Sequence, residues 1–488
     1  MTSIPQSNNQ GAVFELIARG QKDKFFLNES SSSKWAFNNA YKSSVPFVSE
    51  RRTIVPLNAP HFGNTFEIEI DKYGDILTEC TLLIDLPTWF PPLALVPGGP
   101  TIDPKIVNDR FSINTNISYD GYGYTNFIGY YLFDSIQFYQ DQNLIQEWSG
   151  ESLFATQITE GSWNSSFLDQ KNAGAFQTLD YTALRRNATP GQLRIKLPLP
   201  GIQAPNDGGF PLCCAPSQVY RLRIRLRQLE DLVVSSNINM IKPAPWNEPL
   251  FVYSTLLYDQ ITFKPLTRDQ IGQPTIVLET VQAYVKDNIQ SALQTRLVTI
   301  PFRKVYQNIF TIGELDYKPL DLMGGGAATI SRQLDARHIG ERLIYMFRTG
   351  ENLDKNRLYD LYNRLDIGGS FYSGMKLVIA GQDREFYFED FLWKDIQALV
   401  KDERDNNWGI GEMRWNLGDI YGSERPAPRQ PEGGVNFSTA DRPTLYIQLK
   451  NVPIQQTLEQ RRTELRIFIE SWAVYEFQEG RGRLVFGA

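Results

Sequence analysis

Alternation of apolar and polar residues with a period of two recurs from one end of this chain to the other. That period matches a strand, whose successive side chains point to opposite faces, and not a helix. "TFEIEIDKY" sets Phe66, Ile68 and Ile70 against Glu67, Glu69 and Asp71. "QLRIKLPLP" repeats the pattern with Leu193, Ile195 and Leu197, and "YRLRIRLRQLEDL" with Leu222, Ile224 and Leu226. The second half carries "TIVLETVQAYV", "RLVTIPF", "MKLVIAGQDREFYF", "TLYIQLKNV" and "LRIFIESWAVYEF". Each predicts a strand with one face in a core. Helical spacing is confined to "EDFLWKDIQALVKDERDN", through Phe391, Leu392, Ile396, Leu399 and Val400, and to short turns in "ESLFATQI" and "GELDYKPLDLM". Many short strands cut by Gly/Pro loops predict an all-β protein of sandwiches or jelly rolls.

At about 100–200 residues per domain, 488 residues make two to five domains, fewer if the domains are large and all-β. The clearest break is Pro-rich, "NINMIKPAPWNEPLFVY", where Pro243, Pro245 and Pro249 interrupt strand-like text. Proline lacks the N–H that a ladder needs, so residues 241–249 read as a connection. Each side closes on a long alternating strand, which suggests two similar β-domains in tandem. Long loops are expected at 91–124 and 201–218, rich in Pro, Gly and Asn.

Composition narrows the function. With 49 basic and 55 acidic residues the net charge is −6, which weighs against wrapping nucleic acid. Three cysteines, Cys80, Cys213 and Cys214, make no disulfide framework and read as buried free thiols. No cationic, apolar leader and no run of about 18 apolar residues occurs, so a soluble intracellular product is expected. The two histidines, His61 and His338, lie far apart, with no HExxH and no CxxC, and no metal or cofactor is expected. "LMGGGAATIS" and "GRGRLVFG" lack the Lys-Ser/Thr of a phosphate loop and read as turns. No pair of carboxylates stands out by spacing, and no catalytic residue is assigned.

Two surface features remain. Arg221, Arg223, Arg225 and Arg227 form a comb on one strand face, either plain solvent surface or a protein interface, because four cations in a row repel unless acids face them. Asn28, Asn116, Asn164, Asn187 and Asn436 fit Asn-x-Ser/Thr and are candidate glycosylation sites, with unmodified loop residues as the default.

In the last third, "MKLVIAGQDREFYF" and "PRQPEGGVNFSTADRPTLYIQL" resemble a block of the double jelly-roll major capsid proteins of nucleocytoplasmic large DNA viruses. Gly381, Asp383 and Arg384 match that family's Gly-x-Asp-Arg turn; Gln430, Pro431, Asn436, Phe437 and Ser438 match a later stretch, with Glu432 where Ser is usual. "GAVFELIARGQKDKFFLN" supplies Leu16, Ala18, Gly20 and Asp23 of an N-terminal segment. "AYKSSVPFVSE", "YGDILTECTLLIDLP" (with Ile76 for Leu), "ERLIYMFRTGEN" and the C-terminal strand follow in the family's order.

The resemblance implies an N-terminal arm at 1–24 lying toward a shell interior, a first eight-stranded antiparallel jelly roll at 25–240, and a second at 250–488. It implies a non-enzymatic structural protein of the virion, made in the host cytoplasm. Its first partner would be itself, as a homotrimer of pseudo-hexagonal outline that tiles a lattice. Minor capsid proteins and an internal viral membrane would follow, without direct contact to nucleic acid. A minor capsid or scaffold protein of the same fold shares every motif. A β-sandwich hydrolase and a carbohydrate-binding protein are the remaining alternatives, and "SYDGYGYTNFIGYYLF" is the aromatic stretch that a glycan site would use.

Overall fold

In the period-two segments the structure forms strands whose apolar members face inward. On Tyr220–Leu226, Leu222 and Ile224 are buried while Arg223 and Arg225 are exposed; on Thr444–Leu449, Leu445, Ile447 and Leu449 are buried. A computed structural model describes residues 47–87, 110–113, 117–120, 122–159, 190–203, 207–235, 240–244, 252–257, 260–265, 271–313, 328–359, 372–388, 410–415, 433–438, 443–449 and 462–486, with a few single positions besides. The expected arm at 1–24, the helix at 389–406 and most of loop 91–124 lie outside them. "ESLFATQI" does form a helix, α1, Gly150–Thr159.

Four antiparallel sheets build two jelly rolls. In the first half, one sheet has the order β1 (Phe47–Ile54), β9 (Thr275–Val285), β3 (Ile76–Asp85), β7 (Phe210–Pro211), with β6 (Gln192–Lys196) also on β3. Its partner runs β2 (Thr65–Glu69), β8 (Tyr220–Leu226), β4 (Phe133–Gln140), β5 (Asn143–Trp148). In the second half, one sheet runs β10 (Val298–Ile312), β18 (Thr463–Gln478), β12 (Ile339–Thr349), β15 (Ile410–Arg414); β16 (Val435–Asn436) adds to β12 and β19 (Arg481–Phe486) to β18. The last sheet runs β11 (Ala328–Gln333), β17 (Thr444–Leu449), β13 (Tyr372–Ile379), β14 (Gln382–Phe388).

The expected boundary at 241–249 needs correction. β9 lies beyond it, yet pairs Ile276 with Ile84 and Leu278 with Leu82 of β3 and sits between β3 and β1. The first roll therefore takes its central strand from past the Pro-rich segment, and the changeover to the second roll falls at α2, Asp287–Thr295. Proline density marks where ladders are interrupted; it carries no information on which strands pair.

Two hairpins explain the motif glycines. Ile379 pairs with Gln382 across Ala380–Gly381, a loop of two residues that both have positive φ, 52° and 72°. Gln478 pairs with Arg481 across Glu479–Gly480, at 51° and 77°. Two successive left-handed residues are the turn whose twist matches that of paired strands. "GRGRLVFG" is thus a turn and strand.

The two cores differ in reach. One cluster, with Leu343, Tyr345, Phe347, Met375, Leu377, Ile447 and Ile467, fills the second roll. The other fills the first roll and continues into the second half through Ile344, Met346, Phe468 and Tyr475. Neighbouring residues of β12 thus serve different cores, and ten of its eleven residues, all but Ile339, are buried. Residues Phe47–Ala488 accordingly form one compact unit.

α1 enters this unit under tight constraint. A Cβ on Gly150 would lie 1.9 Å from the Tyr130 carbonyl oxygen and 2.7 Å from that of Phe133, both backbone atoms that cannot swing aside. Gly150→Ala is expected to destabilise the fold by at least about 3 kcal/mol, an overpacking penalty at the top of its usual range. A melting temperature within a degree of the parent would contradict this close approach.

Candidate functional site

Among the described residues, a dense cluster of charge lies where the two halves meet. Ser149 and Ser152 cap the start of α1 reciprocally, each side-chain oxygen accepting from the other's backbone N–H at 3.0 Å. The cap presents Glu151 from the first turn, where a carboxylate suits the positive end of the helix. Glu151 is fully buried and meets three guanidinium groups: Arg227 at 2.5 Å from the end of β8, Arg466 at 2.7 Å from β18, and Arg348 at 3.3 Å from β12. Glu464 shares Arg348 at 3.4 Å and Arg466 at 2.5 Å.

A second group sits one strand-length along. Arg342 donates to both oxygens of Glu470, at 2.6 and 2.8 Å, and to Glu412 at 3.1 Å. It also donates to Thr159 of α1, at 3.0 Å, while Thr156 donates to Glu470 at 3.2 Å. Arg414 closes on Glu412 at 2.6 Å. A two-pronged guanidinium–carboxylate contact fixes orientation as well as distance.

Burial by itself would raise the Glu151 pKa, but Arg348, Arg466 and Arg227 outweigh it and hold the carboxyl well below the usual range. Burial likewise opposes the charge on Arg348, and Glu151 restores it. Charges this deep persist only because each is paired. Chemically the site can clamp, since its acids and guanidinium groups are paired with one another.

A polar lock at the other end of the junction complements it. Tyr475 of β18 donates to Gln140 of β4 and lies 3.3 Å from the Tyr220 hydroxyl, while Gln140 and Gln218 hold the Gly482 backbone of β19.

The expected comb is divided. Arg221 and Arg223 stand directly across from Glu69 and Glu67 of β2, at 3.4 and 3.8 Å, and Arg225 meets Asp134 at 3.4 Å. Acids of the chain itself thus answer the repulsion that suggested an outside partner. Arg227 leaves the row for Glu151. Of the five Asn-x-Ser/Thr sites, only Asn436 falls among the described residues; it is exposed, and its side chain accepts from the Ser438 N–H at 3.0 Å. Asn28, Asn116, Asn164 and Asn187 lie outside them.

His61 is exposed beside a turn and His338 is half-buried in a bend at φ 64°, with no catalytic constellation around either among the described residues. Among those residues no cluster of His, Cys, Asp and Glu has the makings of a metal site, and no helix is long and apolar enough to cross a membrane. Of the aromatic stretch weighed for glycan binding, Tyr124, Phe127, Tyr130 and Tyr131 are buried, and the Tyr124 hydroxyl donates to the Pro87 carbonyl at 2.6 Å. Reading the sequence missed the clamp, although charges inside the apolar runs "IGERLIYMFRT" and "TELRIFIESW" were the available signal.

Glu151→Ala would leave the buried Arg348 and the half-buried Arg227 and Arg466 short of an acid and is expected to cost about 3–5 kcal/mol. Arg223→Ala on the outer face should cost about 1 kcal/mol or less, because exposed pairs are screened. Equal losses in denaturant unfolding would contradict the difference in burial. The depressed Glu151 pKa also sets a pH dependence. Its stabilisation is complete above the ordinary glutamate value, about 4.3, and is lost progressively as pH falls below it toward the folded value, because the unfolded carboxylate binds a proton first. Glu151→Gln should flatten that acid limb of the stability curve.

No family model and no curated protein matches the chain. Solved structures do. A quasi-atomic model of the PBCV-1 virus capsid superposes with a TM-score of 0.64 at 15% identity, covering 93% of this chain and 100% of that one. PBCV-1 VP54, fitted into a reconstruction of the virophage Sputnik, gives 0.64 at 14% identity, over 93% and 100%. The Faustovirus major capsid protein gives 0.56 at 10%, over 91% and 92%. At these identities the likeness is one of fold, and it runs almost end to end: the chain is a double jelly roll of the kind found in viral major capsid proteins.

Proposed function

We propose that the chain is a major capsid protein, a non-catalytic building block of a viral shell. The observation that carries this is the end-to-end likeness of both rolls, in order, to viral capsid proteins. The clamped junction supports it physically. A shell subunit transmits contacts from one side of the block to the other, and two rolls tied by buried charge and a shared core move as one body.

On this reading the chain associates first with itself. Three copies, each of two rolls, make a six-lobed capsomer; cyclic symmetry closes that contact, while contacts between capsomers stay open so that the lattice extends. Those outer contacts can be small, because many act together. Minor capsid proteins and an internal membrane are the expected further partners, nucleic acid is not, and synthesis is expected in the host cytoplasm. The arm at 1–24 would face inward. Asn436, exposed on a turn, is the described residue best placed for a glycan. The outer row Arg221, Arg223 and Arg225, with its facing acids, would contribute only a screened contact between capsomers.

Light scattering on a sizing column tests the reading. A species of three 55.8-kDa chains, about 167 kDa, that persists on dilution is expected from the closed cyclic contact. A monomer at all concentrations, with no arrays in the electron microscope, would overturn the capsomer assignment.

A further inference from the structure

Cys213 and Cys214 are consecutive, buried and free, and they occupy a 3₁₀ turn, Leu212–Cys214, that bears against α2. α2 is the segment between β9, the last strand of the first roll, and β10, the first of the second. Contacts at both ends hold it there. Asp75 accepts from the Val285 N–H at 2.9 Å and from the Gln290 side chain at 3.0 Å, fixing its start. Its end is fixed by the cysteines: Gln294 donates to the Cys213 carbonyl at 3.2 Å, and the Cys214 thiol donates to the Leu293 carbonyl at 3.3 Å. The Cys213 N–H in turn donates to the Asp75 carbonyl at 3.0 Å.

We propose that Cys213 and Cys214 are a reversible oxidation site, closing to a disulfide between neighbouring residues and thereby releasing the C-terminal end of α2. Cys213 is the more exposed of the two, at 8% against 1%, and is the sulfur that reacts first. The neighbouring Cys214 side chain keeps Cys213 below its ordinary pKa and so richer in thiolate. With a peroxide as oxidant, the Cys213 thiolate attacks one oxygen, the O–O bond breaks, and the sulfur becomes a sulfenic acid while the other oxygen leaves as water after protonation. The Cys214 sulfur then attacks the Cys213 sulfur. The S–S bond forms, hydroxide leaves and takes up the Cys214 proton as a second water. Two thiols and one hydrogen peroxide have become one disulfide and two waters.

The consequence follows from which bonds must move. Neighbouring Cα atoms are about 3.8 Å apart across a trans peptide, short of the roughly 4.4–6.8 Å that disulfides span, so ring closure must twist the peptide between the two cysteines. That peptide carries the Cys213 carbonyl that Gln294 holds, and the disulfide has no S–H left for Leu293. Both contacts at the end of α2 are lost, while both Asp75 contacts at its start remain. A strained ring is also readily reduced, which makes the change reversible. Cys80, alone within β3 and pushed well above its ordinary pKa by burial, takes no part.

The test uses the full chain treated with hydrogen peroxide, then denatured and alkylated. A proteolytic peptide holding both cysteines is expected to lose two hydrogens, take up no alkylating agent, and recover both thiols with dithiothreitol, while Cys80 stays alkylatable. Hydrogen exchange should rise severalfold at 292–296 and stay unchanged at 287–290. Cys213→Ser/Cys214→Ser should abolish the response, and Cys80→Ser should keep it. Two alkylatable thiols after treatment, a disulfide between chains, or a closed ring with unchanged exchange at 292–296 would each overturn the proposal.

Discussion

Burial of Glu151 against Arg227, Arg348 and Arg466 is the constraint on which the arrangement of the two rolls depends. The four residues come from α1, from the position just past β8, and from β12 and β18, so neither half holds a complete set. A carboxylate and a guanidinium group as deep as Glu151 and Arg348 are tolerable only when paired. The same holds for Arg342, which needs Glu470 and Glu412 from its own sheet and Thr159 from the first half. Charge therefore selects one docking of the rolls, and an apolar seam of Ile344, Met346 and Phe468 fills the space between the charged ends. Apolar contact alone is non-directional and would fix the docking less sharply.

Such a junction would suit the shell block proposed above. Its outward features are of a different kind: the ion pairs on β2 and β8 are exposed, screened and individually weak, whereas the inward ones are deep and few. Strength is concentrated where the block must not yield, and the outer face is left polar, which guards sheets against indiscriminate pairing. α2 is an exception to this stiffness. None of its residues is buried, and it is held by single hydrogen bonds from Asp75 and the two cysteines and by the half-buried Leu293.

Much of the local structure was legible because strand periodicity is a local property. The inward faces of "TFEIEI", "YRLRIRL" and "TLYIQL" could be named from the letters alone, as could the short helix in "ESLFATQI". Even the acids opposite the comb were visible, since Glu67 and Glu69 alternate on β2 as the arginines do on β8. What escaped was pairing across distance. β9 follows the Pro-rich segment in sequence yet joins the first roll, because strand partnership is settled by the closure of the whole sheet. Arg227 continues the comb by spacing yet turns to Glu151, because the register between β8 and β4 shifts between Arg225 and Leu226. Tyr124, Tyr130 and Tyr131, weighed as part of a glycan site, are core, since composition does not reveal which side of a loop is covered.

By itself, then, the sequence determined the inward residues of the alternating strands and the left-handed turns at Ala380–Gly381 and Glu479–Gly480. These depend on side-chain alternation and backbone sterics within a few residues. Only the tertiary structure decided which strands share a sheet, where the first roll ends, and that acids and arginines spread from position 151 to 470 would meet. Those outcomes rest on desolvation, which a charge experiences only once distant segments have closed around it.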